Sequence, residues 1–249
     1  MNATAFLGLG VVVVCAGLMV AFRLIHRKNP QRGLREIPAY SHLRRAIGLA
    51  VEDGSRLHVS LGKAGLLSPQ NTAGLVGLTV LERIAELSSL SDRPPVATSG
   101  DPSLAILSQD TLQRVYRDAN ALGRYESSMG RLTGVTPFSY AAGAMPAITG
   151  EQVSANMLIG NLDVESALLA NAVDDAKSFA IGGSNSLLGQ AVQAATLEEP
   201  LVGEEVYAAG AYLQAGPMHA ASLRAQDILR WGIVAALILG AILKLAGVL

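Results

Sequence analysis

Apolar and polar positions follow two regimes along this chain. Residues 1–22, MNATAFLGLGVVVVCAGLMVAF, carry no charge, and the stretch 231–249, WGIVAALILGAILKLAGVL, carries only Lys244. About 20 apolar residues suffice to cross a hydrocarbon core of about 30 Å, so each end predicts a transmembrane helix. Trp231 stands where an interfacial aromatic belongs, and Lys244 is near enough to the chain end to snorkel. Between these ends the pattern breaks into short runs, some alternating and some at helical spacing.

The short runs predict an order of elements. IPAYSHLRRAIGLAVEDG reads as an amphipathic helix through Leu43, Ile47 and Val51, and RLHVSLG as a strand. TAGLVGLTVLERIAELSSL predicts a helix capped by Thr72, with a stripe of Leu75, Leu78, Leu81, Ile84 and Leu87. DRPPVATSGDP predicts a short strand between turns, and SLAILSQDTLQRVYRDANALG a helix ended by Gly123. VTPFSYAAGAMPAITGEQVSANMLIG reads as two strands around a Thr-Gly-Glu turn. VESALLANAVDDAK predicts a helix, SFAIGG a strand, SLLGQAVQAATLEE a helix and GEEVYAAGAYLQAG another. PMHAASLRAQDILRW begins with a helix-starting proline and runs on into the second span. Strands alternating with helices of this length predict an α/β fold, a largely parallel sheet flanked by helices, with one transmembrane helix at each terminus.

Charge divides the chain in the same places. Residues 23–45 hold Arg23, Arg27, Lys28, Arg32, Arg35, Arg44 and Arg45 against one acid, Glu36. Residues 46–222 hold 9 Lys and Arg against 18 Asp and Glu. The overall charge of −1 therefore conceals a basic collar and an acidic domain. The expected organisation is a span at 1–22, a basic linker at 23–45, an α/β domain at 46–222 and a helix at 223–249 that continues into the second span. The positive-inside rule places the main domain on the cytoplasmic side of the cell membrane with both termini outside, and the linker against anionic headgroups. An acidic domain with few aromatic residues argues against a nucleic-acid partner.

The first run is read as a span rather than a signal peptide. It lacks a basic n-region and a small-x-small cleavage site, and its apolar stretch is longer than a typical h-region. Cys15 lacks the small preceding residue of a lipid-modified cysteine and is read as packing. A single cysteine excludes an intrachain disulfide.

Four predicted strands end in small, Gly-containing polar turns: SLGKAG (60–65), TSGDPS (98–103), GNLDVES (160–166) and GGSNS (182–186). Ligands of open α/β sheets bind beyond the carboxyl ends of the strands. If these strands are parallel, the turns bring Lys63, Ser99, Asp101, Asp163, Ser184 and Asn185 to one rim, with helix N-termini favouring an anion such as a nucleotide phosphate. The competing reading makes the same residues ordinary caps and turns.

Other chemistry finds less support. No G-x-x-x-x-G-K-[ST] or G-x-G-x-x-G pattern occurs. Gly182-Gly183-Ser184-Asn185-Ser186 approaches the G-x-S-x-G elbow of serine hydrolases, with Ser186 in place of the last glycine. Glu204 and His219 follow in triad order, but His219 adjoins the membrane helix. His26, His42, His58 and His219 show no metal-ligand spacing, so neither a metal nor another cofactor is expected. Asp174-Asp175, Glu198-Glu199 and Glu204-Glu205 read as solvated surface.

The apolar helices carry small residues four apart, Gly17 and Ala21 in the first and Gly232, Ala236 and Gly240 in the second. Such spacing lets helices pack closely in lipid, within one chain or between chains. No charge lies mid-membrane, so no ion path is expected. The leading functional expectation is a non-enzymatic, membrane-anchored homo-oligomeric scaffold. The alternatives are a sensor of a small anion or nucleotide at the rim and, behind it, a serine hydrolase using Ser184.

LTVLERIAELSSLSDRPPVATSGDPSLAILSQDTLQRVYRDAN, LTGVTPFSYAAGAMPAI and EEPLVGEEVYAAGAYLQAGPMHAASLRAQDILRW together resemble an uncharacterised family of bacterial two-span membrane proteins with a cytoplasmic domain of unknown function. The resemblance spans most of residues 45–232. It implies the layout derived above and supplies no activity, cofactor or functional residue.

Overall fold

The computed structural model describes residues 3–27, 33–63, 65–68, 72–89 and 91–246. The basic residues Lys28 and Arg32 of the linker, Ala64 of the first rim turn and the last three residues lie outside that set. The chain forms two units, one of residues 1–35 with 216–249 and one of residues 36–215.

The first unit is a pair of long helices, α1 (Ala3–Ile25) and α9 (Pro217–Leu245), which pack against one another. Both are long and apolar enough to cross a membrane. Pro217 occupies the first turn of α9, where its missing N–H costs nothing. The helix then continues without a break, as its sequence predicts.

The second unit is built on a six-stranded, wholly parallel sheet in the order β3-β2-β1-β4-β5-β6. The strands are β1 (Arg56–Gly62), β2 (Val96–Ser99), β3 (Gly130–Leu132), β4 (Val153–Asn161), β5 (Phe179–Ser184) and β6 (Glu199–Leu201). The helices of this unit are α2 (Pro38–Glu52), α3 (Thr72–Ser88), α4 (Pro102–Asp118), α5 (Pro137–Gly150), α6 (Ser166–Asp175), α7 (Leu187–Thr196) and the short α8 (Ala209–Tyr212). This is the doubly wound arrangement: the winding starts at β1, moves out to β3, then returns to β4 on the other side of β1. The reversal lies between β1 and β4, the place where open sheets of this kind hold ligands beyond their carboxyl ends.

The buried strands explain themselves. β1 and β4 are buried on both faces, as parallel strands between helix layers must be. On one face Tyr140, Ala141, Ala144 and Ile148 of α5 meet Leu158, Leu169, Ala172 and Val173 in a continuous apolar cluster. On the other, α3 lies close because Gly77 has no side chain: a Cβ there would stand 2.8 Å from Leu61 and 2.9 Å from the Ile159 carbonyl oxygen.

A polar thread crosses the first face. His58 lies between Asn156 Oδ1 at 3.0 Å and Thr98 Oγ1 at 2.9 Å, and Asn156 Nδ2 donates to Ser178 Oγ at 2.8 Å. The His58 ring is fully buried, which pushes its pKa down to about 4 and keeps it neutral. At the amino end of the sheet, Glu151 is clamped by Arg56 and Arg131. Burial works against the charged carboxyl there, but the two guanidinium groups hold its pKa below the usual range. Near the ends of the unit, Tyr40 stacks on Tyr212 with ring centroids 5.0 Å apart and donates its hydroxyl to the Glu205 carbonyl at 2.6 Å. This holds the first helix of the unit to its last segment.

Several expected elements differ. PFSYAAGAMPAITG is helix α5, not a strand. Thr136 and Ser139 form a capping box and Pro137 fills the first turn, a helix start that outweighs the β-like composition. β3 and β6 are three-residue edge strands; β6 begins at the end of a stretch read as helix, and β3 lies between Gly123 and Val135, where no element was expected. Helix α4 ends at Asp118, and Asn120 at φ 52° makes the turn expected of Gly123. On α3 the buried face is Ala73, Gly74, Gly77, Val80, Leu81, Ile84 and Ala85, while Leu75 and Leu87 are exposed. The small residues, not the leucines at the ends of the stripe, face the sheet.

Candidate functional site

Strands β2, β1, β4 and β5 are neighbours and parallel, so the four Gly-containing turns open on one edge of the sheet. The helices that follow them run back antiparallel and point their N-termini at the same edge. The expected convergence of Lys63, Ser99, Asp101, Asp163, Ser184 and Asn185 is therefore a feature of the fold, though these residues play different parts.

Lys63 and Asp163 form the heart of the rim. Gly62 ends β1 at φ 72°, and a Cβ there would stand 2.5 Å from the Asn161 backbone nitrogen, so only glycine lets β1 and β4 approach so closely. The next residue sends Lys63 Nζ across the two strand ends to Asp163 Oδ2 at 2.8 Å. Glu165 Oε1 lies 3.1 Å from the same ammonium. Ser186 donates its hydroxyl to Asp163 Oδ1. Burial disfavours the Lys63 ammonium, but Asp163 and Glu165 outweigh it and hold its pKa above the ordinary lysine value. The hydrogen bond from Lys63, followed by that from Ser186, holds Asp163 below its ordinary value.

The other expected residues are structural. Ser99 is buried and donates to the Asp101 carbonyl at 3.0 Å. Asp101 caps α4, accepting from the Ser103 N–H at 2.8 Å. Ser184 is fully buried within β5, where it donates to the Leu162 carbonyl at 2.7 Å and accepts from the Ser186 N–H at 3.0 Å. A nucleophile must be reached by its substrate, and this hydroxyl is sealed and already engaged. Asn185 Oδ1 accepts from Asn161 Nδ2 at 2.9 Å, tying the β4 and β5 turns.

Glu165 and Ser186 were not singled out by sequence reasoning. Both sit in the quoted turns, so the signal was present, but burial of a glutamate two residues after a half-buried aspartate has no local signature.

The same edge carries an apolar collar. Leu67 is 97% exposed and Leu187 83%, and Ile106, Val135, Phe138 and Val202 are each more than half exposed. All lie in turns after strands or in the first turns of the following helices. Among the described residues of this unit, the large exposed apolar side chains toward the opposite edge are Leu49, Leu87 and Leu122. Exposed apolar residues gathered on one side mark a contact face. A separate cavity of about 470 Å³ opens near the amino end of β5, with Asp174, Lys177, Phe179 and Glu198 in its wall.

In the helix pair, a Cβ added at Gly17, Gly232 or Gly240 would meet nothing within 4 Å, and Ala21 and Ala236 are exposed. The small-residue faces therefore lie outside the contact between α1 and α9. Among the described residues no three His, Cys, Asp or Glu side chains are grouped as metal ligands.

A family model described as a domain of unknown function (DUF6754) matches residues 2–249. No curated protein and no solved structure matches the chain.

Proposed function

We propose that this chain, which belongs to the DUF6754 family over nearly its whole length, is a membrane-tethered scaffold that self-associates through the carboxyl edge of its sheet. The observation that carries this reading is the apolar collar, headed by Leu67 and Leu187, on that edge. Two spans in one chain would hold every copy in one plane and one orientation, which raises the effective concentration of neighbouring copies. The outward small-residue faces of α1 and α9 supply a second contact in lipid. The basic linker against anionic headgroups puts the acidic unit on the cytoplasmic side of the membrane and both termini outside.

Native mass spectrometry of the full chain in detergent tests this. The expected result is a defined oligomer that Leu67→Asp with Leu187→Asp converts to monomer. Monomer alone in the unaltered chain overturns the reading.

A second reading is favoured by the strand order. The winding reverses between β1 and β4, and open α/β sheets hold small ligands at that point. In this reading the domain is a sensor, with its ligand at the carboxyl ends of β1 and β4 beside Lys63 and Asp163. The two readings share an edge and are compatible: a ligand at its centre would alter the collar around it.

A further inference from the structure

The cavity at the amino end of β5 lies on the edge opposite the collar and rests on neither reading above. Its volume of about 470 Å³ is within the range of small-molecule sites, about 300–1,000 Å³. Three segments build it: the end of α6, the start of β5, and the chain that leaves α7 for β6. Val173, which is buried, and Phe179 and Leu197, which are half-buried, form the apolar part of its wall.

The wall is held from behind. Ser178 donates its N–H to the Val173 carbonyl at 3.2 Å, and its Oγ accepts from Asn156 Nδ2 at 2.8 Å. The polar thread that starts at Thr98 and His58 therefore ends in this wall. Lys177, at φ 49°, donates its N–H to the Asp174 carbonyl at 2.9 Å and closes the end of α6. Backbone and core contacts thus set the shape of the wall, and its charged side chains are not needed for that.

Those side chains are two carboxylates, Asp174 and Glu198, and one ammonium, Lys177. All three are exposed, and among the described residues none has an ion pair or a side-chain hydrogen bond. Helices α6 and α7 both end here, at Asp175 and Thr196, and a helix C-terminus carries partial negative charge. An anion entering the cavity is repelled by both carboxylates and both helix ends, with Lys177 alone to attract it. A cation meets the reverse balance, and the Phe179 ring is a surface that suits one.

We propose that this cavity binds a small organic amine. Its ammonium pairs with Asp174 and Glu198, and its apolar body rests on Val173, Phe179 and Leu197.

The test is isothermal calorimetry of the full chain in detergent, with empty micelles as the blank. The probes are isoamylamine, phenethylamine and cadaverine, with isovalerate and hydrocinnamate as anionic counterparts. The expected result is saturable binding of at least one amine and of neither carboxylate. Affinity should fall at least fivefold in the double variant Asp174→Asn with Glu198→Gln, and should hold or rise in Lys177→Gln. All three positions are exposed, so the fold should survive each change. No saturable amine binding to the folded chain would overturn the proposal. Carboxylate binding that is lost in Lys177→Gln would overturn the ligand class while leaving a site in the cavity. Amine binding unchanged in the double variant would overturn the assignment to this cavity.

Discussion

Lys63 and Asp163 meet at 2.8 Å across the strands where the winding of the sheet reverses, with the buried Glu165 behind them. One ammonium thus serves two carboxylates, and its removal strands the one that is fully buried. Lys63→Met should cost about 3 kcal/mol, the lower end of the range for breaking a buried pair. The double variant Lys63→Met with Glu165→Leu should recover most of this, because no buried charge then remains. Urea denaturation of the three proteins checks it. A neutral single variant would show that Glu165 does not depend on Lys63.

His58 gives the fold an acid limit. Its ring faces Asn156 and Thr98, with Glu151 and Arg131 the nearest charged influences. Its folded pKa of about 4 lies below the unperturbed 6.5, so the unfolded chain binds its proton first as pH falls. The contribution is fully present above about pH 6.5 and is lost progressively toward pH 4, amounting to about 3 kcal/mol. His58→Gln should flatten the slope of stability against pH in that window. An unchanged slope would place the acid sensitivity elsewhere.

Glu151 works in a lower window. Its carboxyl is held down by Arg131 and Arg56, so its contribution is present above the ordinary glutamate pKa and lost as pH falls below it. Glu151→Gln should cost about 2 kcal/mol at pH 7, from charged hydrogen bonds replaced by weaker ones. Chemical denaturation at pH 7 measures this, and an effect under half that size would mean the clamp is exposed enough to be screened.

Glycine spacing sets how closely helices approach the sheet. A Cβ at Gly189 would stand 1.8 Å from the Leu162 carbonyl oxygen, whereas one at Gly123 would meet nothing within 4 Å. Gly189→Ala should therefore displace α7 and cost 1–3 kcal/mol or more, by about the usual penalty of overpacking, while Gly123→Ala stays near neutral. Thermal melts of the two variants compare them directly.

Much of this architecture was legible in the sequence, for identifiable reasons. RLHVSLG, VATS and SFAIGG are short apolar runs bounded by turns, and each is a strand of the parallel sheet. The two apolar ends are helices of spanning length because nothing polar interrupts them. The failures are equally physical. AAGAMPAITG lacks a helical stripe because α5 is apolar nearly all round and carries Pro146, so its cap at Thr136 was the only clear signal. β3 and β6 are three residues each and are set by pairing to β2 and β5, not by their own pattern. The rim was found through its turns, but Glu165 was not, because its burial is a product of tertiary packing. The apolar collar was invisible for the same reason: Leu67, Val135 and Leu187 are far apart in sequence and share an edge only when the strands pair.

Cross-linking in membranes addresses that edge most directly. Single cysteines at Leu67→Cys and Leu187→Cys, in a Cys15→Ser background, place thiols on the carboxyl edge, and Leu122→Cys places one toward the opposite edge as a control. With a short bis-maleimide the first two should form covalent oligomers in membranes and the control should stay monomeric. Cross-linking at Leu122→Cys as efficient as at Leu67→Cys, or none at Leu67→Cys and Leu187→Cys, would contradict self-association through the carboxyl edge.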